Sequence, residues 1–137
     1  MRTLNTFIKL TRCTNSLYTR LAERNTLDDL TPSQFSVLEA LYHLGSMTQG
    51  EVSTKVLKSG SNMTTVIDNL ERDGLVKRER NAKDRRVIHV HLTEAGTGKL
   101  EAVLPSHIAA LVDEFSVLSA SEQRTLADLC KKLGKGK

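Results

Sequence analysis

Between Met63 and Leu92 the apolar period changes from that of a helix to that of a strand, and it changes across a single glycine. Met63, Val66, Ile67 and Leu70 fall at i, i+3, i+4 and i+7, one stripe of a helix. Gly74 follows, placed as a left-handed C-cap. Then "LVKRER" and "VIHVHL" read as short strands around the six-residue loop "NAKDRR", a hairpin. In the second strand Ile88, Val90 and Leu92 face one way and Val87, His89 and His91 the other. A helix running straight into a hairpin admits few small folds, and the residues before it narrow them further.

Those residues carry two helix starts. In "LTPSQF", Thr31 is an N-cap, Pro32 takes the first helical position, Gln34 closes a capping box, and Leu30 and Phe35 form a hydrophobic staple. Phe35, Leu38, Leu41 and Tyr42 keep helical spacing up to Gly45. In "MTQGEV", Thr48 caps, Glu51 closes the box and Met47 meets Val52, which predicts a short helix over 48–57. Two short helices joined by the turn "LKSGS" and followed by a hairpin make a winged helix-turn-helix.

Helices also flank this block. Residues 4–24 align Leu10, Cys13, Leu17 and Leu21, and residues 94–118 align Leu100, Val103, Leu104, Ile108, Leu111, Val112, Phe115 and Leu118, with a kink expected at Pro105. A last helix over 120–133 opens on the box Ser119 and Glu122 and carries Leu126, Leu129, Cys130 and Leu133. The expected fold is mostly α (α+β): a DNA-binding lobe over 31–96, and a dimerisation region from 1–30 and 97–137. The alternative is that the outer helices pack on their own middle block.

At 137 residues, 39% hydrophobic and 26% charged, the chain reads as one globular domain. No apolar run approaches 18 residues, so no membrane partner is expected. The opening residues lack the apolar core of a secretory signal, and two cysteines are too few for a disulfide scaffold, which points to a cytoplasmic setting. There is no Gly-rich phosphate loop, no ordered Ser, His and Asp set and no metal motif, so neither an enzyme nor a cofactor is expected. Asp28 and Asp29 read as loop residues beside a helix cap, and His43, His89, His91 and His107 lack metal-ligand spacing.

Charge is local. Residues 77–86 hold six basic and two acidic side chains, a net charge equal to the +4 of the whole chain. Such a focus is the footprint of a polyanion, or else a solvated charged turn. Read as a winged helix, the helix over 61–73 enters the major groove. Ser61, Asn62, Thr64 and Thr65 lead, with Asp68, Asn69 and Arg72 further along. The wing over 77–92 reaches the minor groove, whose negative potential draws in arginine, and Arg85 is the expected insert. Asp84 is expected to pair with a neighbouring arginine. Lys77, Arg80, Lys83 and Arg86 contact phosphates or brace the wing, and Lys55 and Lys58 are further phosphate contacts. A winged helix that binds protein instead would have no need of this charge.

"LTPSQFSVLEAL", "DNLERDGLVKRE", "DRR" and "HLTEAG", in this order and spacing, resemble the MarR family of bacterial transcription regulators, over about residues 30–97. The resemblance implies an obligate homodimer of triangular outline, binding a pseudo-palindromic operator on double-stranded DNA. It implies a repressor released by a small phenolic or lipophilic effector or by oxidation, and it places Asp84, Arg85 and Arg86 on the wing with Arg85 at the minor groove. The chain departs from many relatives in the Gly of "KSGSN", just before the recognition helix. Arg12, Ser16, Arg20, Tyr42, His43, His107 and Leu111 are the expected effector contacts, an arginine holding a carboxylate or phenolate. The same residues serve equally as interhelical packing and salt bridges. Cys13 stands where oxidation-sensing members of the family keep a reactive thiol, although only Tyr18 is near it in sequence, and Cys130 is expected to pack.

Overall fold

The computed structural model describes residues 1–56 and 62–137, so Lys58, Ser61 and the turn "LKSGS" lie outside the described residues. Its elements run α1 (Arg2–Arg24), α2 (Pro32–Leu44), β1 (Met47–Thr48), α3 (Gln49–Lys55), α4 (Met63–Arg72), β2 (Val76–Arg80), β3 (Ile88–Leu92), α5 (Glu94–Phe115) and α6 (Ala120–Lys135). The chain divides into two compact units, residues 27–105 and residues 1–26 with 106–137.

The caps read from the sequence set the helix starts of the middle unit. Thr31 and Gln34 exchange hydrogen bonds around the start of α2, and Thr48 and Glu51 do the same for α3. Because Thr48 accepts from its own first turn, the backbone before it stays extended. There Met47 and Thr48 pair with Val90 and His89, adding a strand that the hairpin reading lacked. The sheet is antiparallel in the order β1-β3-β2, and its hairpin register aligns Val76 with Leu92, Arg78 with Val90 and Arg80 with Ile88.

The recognition helix is shorter than the predicted 61–73: Asn62 is its N-cap and Asp73 its C-cap. Gly74, at φ 76°, donates to Glu71 O, and Leu75 donates to Leu70 O, which closes a Schellman motif and turns the chain into β2. Ile67 and Leu70 of α4 are fully buried with Leu38 of α2, Val52 of α3, Val90 of β3 and Leu100 of α5.

"HLTEAG" joins α5 to this core. Thr93 Oγ1 donates to Gly74 O at 2.6 Å and accepts from Gly96 N at 3.0 Å, so one hydroxyl ties the end of α4 to the start of α5. A Cβ at Gly96 would lie 2.0 Å from Leu75 O, so only glycine fits that close approach. Leu100 and Val103 put the first turns of α5 in the middle unit, beyond the predicted boundary at 96. The division falls at Pro105, which has no N–H to donate to Glu101 O.

In the outer unit, Ser119 and Glu122 form the capping box that starts α6. Among the described residues none of α1 or α6 is buried. Cys130, expected to pack, is exposed because every residue of α6 is exposed, and Cys13 is exposed on α1, where only Ile8, Leu17 and Leu21 are half-buried. α5 stops at Phe115, short of 118, where Leu118 N turns back to Phe115 O.

Candidate nucleic-acid interface

The leading face of α4 is exposed at Asn62, Thr64, Thr65 and Asp68, and Asn69 is half-buried. Asn62 Oδ1 accepts from Thr65 N at 3.3 Å, so the carbonyl oxygen caps the helix, and among the described residues the side-chain NH2 has no acceptor. Gln49 Nε2 donates to Thr64 Oγ1 at 3.4 Å, a link from α3 to the recognition helix. Further along, Arg72 donates to Asn69 Oδ1 at 3.3 Å and meets Asp73 Oδ1 at 3.3 Å. These are long, exposed contacts, weak enough for a base or phosphate to replace. Lys55, at the end of α3, is exposed.

The wing tip has a defined build. Asn81 Oδ1 accepts from Lys83 N at 2.8 Å and Asp84 N at 3.2 Å, while Asn81 N donates to Val87 O at 2.9 Å. Asp84 Oδ1 accepts from both Arg86 N and Arg86 Nε at 3.1 Å, and Oδ2 accepts from Arg86 Nη2 at 3.2 Å. The Arg86 guanidinium, and then its backbone N–H, hold the Asp84 carboxyl below its ordinary range. Arg80 Nη1 donates across the loop to Arg85 O at 2.7 Å. Arg86 and Arg80 therefore fix the loop. Among the described residues the exposed Arg85 guanidinium has neither a hydrogen bond nor an ion pair. Two arginines occupy the tip because one clips it and the other projects from it.

Four of the six basic residues of the wing have polar partners: Arg80 and Arg86 in the loop, and Lys77 and Arg78 on β2. Lys77 Nζ lies 3.4 Å from Glu79 Oε1. Arg78 shares the inward register of Val76 and turns its guanidinium to α3 and α4, a role the charge count missed. The alternation of the strand carried that signal, since a residue two from a core valine faces the core side. An open groove of about 430 Å³ separates the wing base from α3, lined by Thr48, Gln49, Gly50, Ser53, Arg86, Val87 and Ile88.

The comparisons with known proteins agree with this geometry. The model of the MarR family matches residues 30–88. The chain is similar to the HTH-type transcriptional regulator MhqR of Bacillus subtilis, 33% identical over 133 residues, which is 97% of this chain and 92% of that protein. The chain belongs to the MarR family. It is a transcriptional regulator with a DNA-binding winged-helix fold and not an enzyme. Among solved structures it is similar to a cysteine-to-serine mutant of Escherichia coli MarR complexed with operator DNA, at 26% identity and a TM-score of 0.78, covering 94% of this chain and 96% of that one. It is also similar to Bordetella bronchiseptica BpsR, whose DNA binding is regulated by 6-hydroxynicotinic acid, at 25% identity and a TM-score of 0.78, covering 92% of this chain and 98% of that one.

The expected effector residues of this MarR-family chain divide between the units. In the outer unit Arg20 Nε meets Glu114 Oε1 at 2.6 Å, and Arg24 pairs with Asp113 and Glu114. Arg20, then the partial burial that opposes it, then Arg24 leave the Glu114 carboxyl below its ordinary range. Arg20 is thus held by an acid of α5. Arg12 and Ser16 are exposed and Leu111 is half-buried. His107 Nδ1 lies 2.9 Å from Thr26 Oγ1, and burial lowers its pKa. In the middle unit Tyr42 donates to Glu101 Oε2 at 3.1 Å, which raises the tyrosine pKa, and its ring meets that of His43 edge-on at 5.2 Å. His43 Nδ1 lies 3.2 Å from Glu39 O.

Among the described residues no three His, Cys, Asp or Glu side chains are grouped to hold a metal ion, and no single helix is long and apolar enough to cross a membrane.

Proposed function

We propose that this chain is a cytoplasmic, homodimeric repressor that reads a pseudo-palindromic operator and is released from it by a small-molecule effector. The observation that carries the reading is the wing tip. Asp84 neutralises and fixes Arg86, and the unpaired Arg85 is left at the apex of a short, braced loop. A rigid loop presenting one guanidinium suits a narrow minor groove, where negative potential is concentrated. Asn62, Thr64, Thr65, Asn69 and Arg72, with Ser61 ahead of them, supply the groups that read base edges in the major groove. Arg80, Lys83, Lys55 and Lys58 supply phosphate contacts.

The dimer is supported by the outer helices. Phe7 of α1 is 63% exposed and Leu129 of α6 is 58% exposed, with Leu4, Leu126 and Leu133 uncovered beside them. Apolar stripes on both terminal helices of a small protein need a partner surface, and a second copy supplies one. The operator bound by E. coli MarR and the ligand regulation of BpsR support the DNA and effector parts of the reading.

Footprinting of the reduced protein on fragments of its own genome tests this. Two-fold symmetry sets recognition helices roughly 34 Å apart and predicts a protected inverted repeat of about 16–20 base pairs. Broad, salt-sensitive coverage with no discrete site would instead mean that the wing supplies only phosphate attraction and that the specific partner is something else, a protein among the candidates.

A further inference from the structure

Arg78 is the one wing cation that faces the core side, and its surroundings are unlike those of its neighbours. Its side chain is only 19% exposed. Nη1 meets Asp68 Oδ1 at 2.6 Å and Glu71 Oε1 at 3.3 Å, Nε donates to Gln49 Oε1 at 3.2 Å, and Nη2 donates to Thr64 O at 3.3 Å. The backbone N–H of Arg78 donates to Glu71 Oε2 at 3.0 Å. One guanidinium on β2 thus reaches the first, middle and last turns of α4 and the start of α3.

We propose that Arg78 is a positioning residue for DNA recognition, which fixes the recognition helix relative to the wing without touching DNA. The fork geometry makes this role specific. Arginine presents five donors in a rigid plane, and here they meet four acceptors on two helices. Lysine offers the same charge as a single point and cannot span those acceptors together. There is also an electrostatic consequence. Asp68 and Glu71 lie on a helix that must approach phosphates, and the Arg78 charge offsets theirs at contact distance. This inference rests on the DNA-binding reading for its consequence, whereas the positioning itself is a property of the free protein.

The experiment measures both in the full-length chain with Arg78→Gln, Arg78→Lys and, as a control, Arg85→Ala. In free protein, amide exchange across α4 is expected to accelerate about tenfold in Arg78→Gln while α2 keeps its wild-type rate, a local opening of one element. Operator affinity is expected to fall about tenfold with an unchanged salt slope, because no phosphate contact is lost. Arg78→Lys falls between the two, and provides the same readouts if Arg78→Gln does not fold. Arg85→Ala lowers the affinity with α4 exchange unchanged. Wild-type exchange in α4, or equal acceleration in α2 and α4, overturns the proposal. So does a salt slope reduced by about one, which would make Arg78 a phosphate contact. If wild-type protein protects no discrete site, the operator reading fails, and the exchange measurement still decides the positioning role.

Discussion

The two units of this chain bury their apolar residues differently. Residues 27–105 close around Leu38, Ile67, Leu70 and Leu100, each with no exposed surface, and every layer of the winged helix contributes to that core. Residues 1–26 and 106–137 hold three helical segments, yet Ala110 is their one buried hydrophobic among the described residues, and Val112 is 65% exposed. The middle unit is finished as a monomer; the outer unit presents surface that a second chain would complete. The closed core accounts for folding, and the uncovered outer helices are where the proposed second copy would bind.

The largest effect is expected in the middle core. Leu38→Ala should cost about 2–5 kcal/mol in denaturant unfolding, because the closed core cannot collapse onto the lost volume. Leu129→Ala on exposed α6 should leave monomer stability within about 0.5 kcal/mol and instead raise the dimer dissociation constant, read by sedimentation. Equal losses in both variants would mean that the two faces are covered alike.

Gly96→Ala comes next. Its Cβ would strike the Leu75 carbonyl at 2.0 Å, so a destabilisation of about 1–3 kcal/mol is expected from backbone displacement, seen as a lower melting temperature. Gly98, with open space around its Cβ position, is the control: Gly98→Ala should gain slightly from helix propensity.

Arg85→Ala should leave the melting temperature unchanged and weaken operator binding by at least ~1 kcal/mol, since the side chain is exposed and unpaired in the free protein. An unaltered dissociation constant would remove Arg85 from the interface.

The smallest effect distinguishes the units by pH. Burial lowers the His107 pKa below its ordinary 6.5, so the folded state favours the neutral ring. Its contribution to the outer unit is present above that value and is lost as pH falls through the lowered one. In the middle unit the shifted carboxylates are Asp29, lowered by Lys99, Glu51, lowered by the Thr48 backbone N–H, and Asp84, lowered by Arg86. Their contributions persist until pH falls to the carboxylate range, near 4. Between pH 7 and 5, His107→Asn should therefore show a shallower fall in melting temperature than wild type. Parallel curves would remove the histidine from that slope.

Much of the fold was legible because its signals are local. The boxes at Thr31, Thr48 and Ser119 each fix a helix start through bonds within four residues, and Gly74 fixes a helix end in the same way. That Asp84 pairs with a neighbouring arginine was equally readable, and the structure identifies that arginine as Arg86, two residues on. Strand β1 was not, because two residues carry no periodicity and Met47 becomes a strand only by pairing with Val90. Cys130 was misplaced for a related reason: helical spacing identifies an apolar face without saying whether anything covers it.

The starts of α2, α3 and α6, the turn at Gly74 and the pairing of Asp84 with a nearby arginine depend on neighbours along the chain, and so they could be read without the fold. That Arg78 faces inward, that Gly96 has no room for a side chain and that Arg20 is held by Glu114 came with packing alone. Each of these depends on groups from elements distant in sequence, brought within bonding or collision distance by packing, which no local pattern encodes.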